Sequence, residues 1–145
     1  MRKSKTISKI LRIKDNKKRE LEFEVRKASE KAEAEKVKLQ TLKQEYMNAV
    51  RLFDEKRGRD SMDINDVISF HDHFFTINAM IDIQKKNYYE RMRELELIKN
   101  SLVDAHKEKK LIEILNNKVF SKEKREEAVL EQKEKDFFAI SKRLR

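Results

Sequence analysis

The feature that most constrains this chain is how few places it has to turn. Its 145 residues include one glycine, Gly58, and no proline. Tight turns draw on residues that supply unusual backbone angles, chiefly Gly, Pro and Asn-Gly pairs. An α/β or all-β domain needs many such positions, and this sequence can encode about one. Charged residues make up 43% of the chain and apolar ones 38%, a balance typical of long helices that each bury a single stripe. Disorder would also suit so much charge, but a disordered chain has no reason to keep its apolar residues in step.

Here they are in step. Moving alternately by four and three residues from Leu21 gives Val25, Ala28, Ala32, Glu35, Leu39, Leu42, Tyr46, Ala49 and Phe53. Glu35 is the one residue of the series that is not apolar, aromatic or alanine. A mean spacing of about 3.5 residues keeps one stripe facing a partner helix along its length, as in a coiled coil. Continued backward, the frame reaches Leu11 and Ile7 through Lys14 and Lys18, so the stripe frays toward the N-terminus. A second series runs Phe70, Phe74, Ile77, Ile81, Gln84, Tyr88, Arg91, Leu95, Ile98, Leu102, Ala105, Lys109, Ile112, Asn116 and Val119.

Between the two lie Gly58 and three good helix N-caps, Asp60, Ser61 and Asp63. The pattern predicts an all-α helical hairpin over residues 1–145. Helix 1 spans about 4–57, a turn about 57–63, and helix 2 about 64–143, with Gly58 free to close the first helix in a left-handed conformation. Folding back at the turn sets Phe53 opposite Val67, Ala49 opposite Phe70, Tyr46 opposite Phe74, Leu42 opposite Ile77 and Leu39 opposite Ile81. Further along, Ala32 meets Tyr88, Val25 meets Leu95 and Leu21 meets Ile98. Partner numbers sum to about 119 or 120, as an antiparallel pair with a short link requires. Glu35 falls opposite Gln84, a polar layer suited to fixing the register. By the same count residue 4 lies opposite roughly residue 115. That leaves a C-terminal helical overhang of about 30 residues, bearing Ala128, Val129, Leu130, Phe137, Phe138, Ile140 and Leu144 as an expected contact surface.

The net charge of +9 points to acidic partners: nucleic acid, an anionic membrane or an acidic protein. Basic clusters occur at Arg2–Lys5, Lys14–Arg19, Lys107–Lys110 and Lys122–Arg125, the last three interrupted by acids. A zipper-type DNA reader would need a basic region continuous with a parallel dimer, whereas this chain folds back on itself. A solvated helix face is the simpler reading. No apolar run is long enough to span a bilayer, and the basic start has no apolar core of a signal peptide, so a cytoplasmic protein is expected. Catalysis is not. A phosphate cradle needs more than one glycine, and with no cysteine there is no thiol or zinc-thiolate chemistry. His71 and His73 sit two apart and point to different faces of a helix, so they read as solvent-facing and not as metal ligands. No cofactor is expected. Large apolar residues outside the stripes include Ile10, Ile13, Phe23, Val37, Ile68, Phe75, Met80, Ile83, Tyr89, Ile114 and Phe120. Of these, Ile68 and Ile114 are expected to widen the buried stripe, and Phe75 to serve either the core or a partner.

Two stretches carry a family resemblance. The segment Phe70-His-Asp-His-Phe-Phe-Thr-Ile-Asn-Ala-Met-Ile81 opens the second helix, and Glu131-Gln-Lys-Glu-Lys-Asp136-Phe-Phe-Ala139 lies near the end. With the lopsided hairpin, these resemble the flagellar export protein FliJ family, whose ending reads Gln-Lys-x-x-Asp-Glu-x-Ala; here Phe137 replaces the second acid. The resemblance implies a type III export stalk, similar to the γ subunit of rotary ATPases. Its partners would be a FliI-like export ATPase hexamer, a FlhA-like export gate and export chaperones, at the cytoplasmic face of the inner membrane. It further implies that Ile7, Leu11, Phe137, Phe138 and Leu144 meet the ATPase ring, and that Phe74, Phe75 and Ile77 face the gate. Injectisome stalks share this architecture, and a plain scaffold coiled coil is the reading without any family.

Overall fold

The computed structural model describes residues 2–59 and 62–144. Two α-helices account for nearly all of them: α1, Arg2–Gly58, and α2, Ile64–Arg143. Both are rich in the Ala, Leu, Glu, Lys and Arg that favour helix. Same-helix ion pairs one turn apart add small increments, as between Arg19 and Asp15 or Lys109 and Glu113. The chain is an all-α helical hairpin with its two helices packed antiparallel, and no strand occurs among the described residues.

The hinge follows from local chemistry. Asp63 caps α2: its carboxylate accepts from the Asp66 N–H at 2.8 Å, and the Asp66 carboxylate accepts from the Asp63 N–H at 3.3 Å. This reciprocal pair satisfies two backbone donors that a helix start leaves without partners. The other two expected caps, Asp60 and Ser61, lie outside the described residues. Gly58 departs from expectation. It is the last residue of α1, its φ is outside the left-handed region, and a Cβ there would meet nothing within 4 Å. Cations in the last turn, Lys56 and Arg57, complement the negative end of the helix dipole.

Contacts divide the chain into two compact units, residues 22–100 and residues 1–21 with 101–145. The first, which contains the hinge, is packed almost entirely through apolar side chains. Leu39, Ile77 and Ile81 form a buried cluster with Leu42 and Tyr46 against it. Ala28, Ala32, Ala49 and Leu95 are buried as well. Tyr46 meets Phe74 edge-on at 5.7 Å between ring centroids, as the register predicts. Phe53 departs from it, packing on Phe70 and Phe74 at 5.4 and 5.8 Å and leaving Val67 exposed. Helical side chains lean toward their own N-terminus. Phe53 therefore reaches away from the hinge, past the level of Val67. The polar layer is present too: the Gln84 side-chain amide donates to the Glu35 backbone carbonyl at 3.0 Å and to the Glu35 carboxylate.

The second unit is held differently. Among its described residues only Leu21 and Ala105 are buried, while Ile7, Leu11, Leu102, Ile112 and Val119 are half-buried. Between them run polar links across the helices. Lys14 pairs with Glu108 at 3.0 Å, Lys109 with Asp15 at 2.7 Å, and the Ser4 hydroxyl donates to Glu123 at 2.7 Å. These pairs lie beyond the 119–120 sum. For Lys14–Glu108 and Lys109–Asp15, two long side chains leaning toward their own N-termini in an antiparallel pair meet past the level of their Cα atoms. The short Ser4 side chain cannot reach that far, so its bond to Glu123 marks an offset of the helices themselves. The consequence is a correction to the overhang. Ser4 meets Glu123 and not the region of residue 115, so α1 covers more of α2 than counted. Beyond Glu123, every side chain from 124 to 140 is exposed, and the arm is 124–144. Ile68 and Ile114 do not widen the stripe; both are exposed, because two helices in contact cover only one narrow face of each.

Candidate functional site

The grooves among the described residues are open surface depressions. Among the described residues, no group of three or more His, Cys, Asp or Glu is gathered so as to hold a metal ion, and no helix is long and apolar enough to cross a membrane. What the structure does offer is surface, of two kinds.

The first lies in the hinge unit. Of the three residues expected to face a gate, Ile77 is only 3% exposed and forms the centre of the buried cluster. Its role there is packing, since its position on the heptad stripe points it at Leu39 and Leu42. Phe74 is half-buried among Tyr46, Phe53 and Phe70. Phe75, one residue on and about 100° around the helix, is 73% exposed. Ile68, Ile83 and Tyr89 on α2 are exposed as well. At this end Phe75 is open to solvent and Ile77 is not.

The second lies in the unit formed by 1–21 and 101–145. Ile7 and Leu11 are half-buried on the side of α1 that faces α2. Phe137 and Phe138 are 68% and 65% exposed, their rings in edge contact at 6.2 Å, and Leu144 is 83% exposed. The five residues grouped by the sequence thus divide into two that hold the N-terminal turns on α2 and three that present apolar surface. Val129, Leu130 and Ile140 join them as exposed apolar residues of the arm.

Electrostatics separates the two units sharply. The hinge unit has 15 Lys and Arg against 16 Asp and Glu, a net −1; the other has 21 against 11, a net +10. Essentially all of the chain's excess charge sits in one unit. Residues 2–19 alone hold nine cations and one acid, Asp15. Donation from the Lys109 ammonium holds the Asp15 carboxyl below its ordinary value of 3.8. In return, the bond to Asp15 raises Lys109 above 10.5. Sequence reading placed Lys14 and Lys109 on the stripes as interruptions but missed their partners. The available signal was that Glu108 lies within one turn, and Asp15 within about one and a half turns, of the predicted opposite positions.

A model of the family described as Flagellar FliJ protein matches residues 3–145. Among curated proteins and among solved structures, nothing matches.

Proposed function

Since the chain belongs to the flagellar FliJ family, a component of flagellar type III protein export, we propose that it acts as the stalk of that apparatus. In this reading it binds the FliI-like export ATPase ring, promotes ring assembly and turnover, and links the ring to a FlhA-like gate and to export chaperones. The observation that carries it is the arm at 124–144, which extends past the end of α1 with Phe137, Phe138 and Leu144 exposed. Large apolar side chains gathered on an exposed segment mark a contact surface. The net +10 of the unit that bears the arm suits a ring lined with acids, and Ile7 and Leu11 serve by fastening the N-terminal turns to the arm's base. Phe75 is the gate-side candidate, with Phe74 supporting it from within.

Mixing the protein with its cognate ATPase is expected to raise both hexamer content and turnover, and added salt to weaken both, because the Debye length shrinks to about 3 Å at 1 M. Replacing Phe137 and Phe138 together with Ala should remove ATPase binding with helicity by circular dichroism unchanged. Unaltered hexamer content and turnover at low salt would end the stalk reading. Lost helicity would instead assign the two rings to the fold.

A further inference from the structure

The α2 stripe does not stop where α1 stops covering it. Within residues 101–145 it runs Leu102, Ala105, Lys109, Ile112, Asn116, Val119 and Glu123, all buried or half-buried. The same alternation of four and three then continues through Glu126, Leu130, Lys133, Phe137, Ile140 and Leu144. Four of those six are large and apolar, and all four are exposed. The seat that α2 provides for α1 is therefore prolonged, in the same phase, along the arm.

Charge says what kind of helix that seat takes. At about 100° per residue, Glu126, Glu127, Glu131 and Glu134 all fall within about 100° of Leu130, on the side of the stripe. Lys133 is the one cation well inside it; Lys124, one heptad before Glu131, lies at its edge and lines a groove with Ser4, Lys5 and Glu127. The remaining cations of the arm, Arg125, Lys135, Lys142 and Arg143, fall on the far side, with Asp136. So the face that continues the seat is apolar and rimmed with acids, although the unit as a whole is basic. The covered part of α2 follows the same rule in part, although its Lys109 pairs with Asp15 of α1. It presents Glu108 to Lys14 and Glu123 to Ser4, and its occupant, residues 2–19 of α1, is a strongly basic amphipathic helix lying antiparallel.

We infer that the arm 124–144 seats a second helix, antiparallel to α2 in the line of α1, with an apolar stripe flanked by Lys and Arg. The inference goes beyond the stalk reading, because it specifies the chemistry of the bound element and does not depend on which protein supplies it. Interhelical charges beside the stripe set partner choice and orientation in such pairs.

The test uses the full chain and two synthetic three-heptad peptides with identical Leu and Ile stripes, one flanked by Lys and the other by Glu. Fluorescence anisotropy at low salt is expected to show the Lys peptide binding at least about tenfold tighter, equivalent to about 1.4 kcal/mol. Leu130→Asp with Phe137→Asp should abolish binding, and Glu127→Lys, Glu131→Lys and Glu134→Lys together should reverse the preference. A spin label on the peptide's N-terminus should broaden NMR signals near Ile140 and spare those near Arg125. Equal affinity for both peptides, binding that survives loss of Leu130 and Phe137, or broadening near Arg125 would each overturn the inference. So would sedimentation showing that a second copy already occupies the arm without peptide. The variants change exposed residues, and circular dichroism confirms their folding. Peptide binding without any response of the ATPase would sink the stalk reading alone; ATPase activation with no peptide preference would sink this inference alone.

Discussion

The same two helices, in the same antiparallel arrangement, are held together in two ways. Around residues 22–100 the contact is hydrophobic, with Ile77, Ile81 and Leu39 at its centre and aromatic rings packed edge-on toward the hinge. In the unit of 1–21 with 101–145, cations occupy stripe positions at Lys14, Lys18 and Lys109, and ion pairs do much of the joining. Apolar burial is not screened by salt, since it involves no charge. Ion pairs near the surface contribute little each and weaken with salt. The hinge unit is thereby specified as the stable scaffold. The basic unit is expected to be the less stable of the two, and that is where the arm and the excess charge reside. Interaction surfaces are commonly drawn from the less stable parts of a protein.

The largest effect expected from breaking this contrast is in the hinge cluster. Ile77→Ala removes a side chain that is nearly fully buried and should destabilise the chain by about 2–4 kcal/mol, read as a lowered denaturant midpoint. Ile112→Ala, half-buried in the basic unit, should cost distinctly less. Equal losses at the two sites would mean that the units are not differently packed.

An intermediate effect is expected at the polar layer. Replacing Glu35 and Gln84 together with Leu removes a buried polar pair and should raise stability by about 1–2 kcal/mol. If that pair specifies register, the double variant will show a broadened distance between spin labels on the two helices. A sharp, unchanged distance distribution would leave the register to the apolar layers alone.

The smallest effect sharpens the comparison through pH. Asp15 has a lowered pKa, so its contribution is present above 3.8 and is lost as pH falls through the lowered value. Lys109 has a raised one, so its contribution is present below 10.5 and is lost as pH rises through the raised value. Between these limits the pair is intact. Hydrogen exchange of amides in residues 5–18 should accelerate below that window or at high salt, with residues 28–46 unaffected. Lys109→Met should remove the acid-side dependence. Its persistence would assign the effect to another carboxylate.

Much of this molecule was legible in one line of letters. A single glycine and no proline limited the chain to one reversal, and a 3.5-residue period named the packed face. Every stripe position from Leu21 to Phe53 and from Phe70 to Val119 is buried or half-buried. Periodicity works here because a two-helix contact has only one geometric variable, the phase of each helix. The family likeness also rested on residues that could be read directly, Phe70 to Ile81 and Glu131 to Ala139.

What the sequence could not supply was reach. Counting residues assigns levels along an axis, whereas side chains lean. Hence Phe53 finds Phe70 and Phe74, and Lys109 finds Asp15. The helices also shift relative to the count at the far end, where Ser4 meets Glu123 and the arm begins at 124 instead of about 115. Counting separated Phe75 from the stripe positions Phe74 and Ile77, but it left open whether Phe75 joins the core; once the helices are seated it is exposed. The division of charge between the two units emerged only when distant segments, 1–21 and 101–145, were brought together. Local pattern determined which residues pair with a helix; the packed structure decided which of them remain available to anything else.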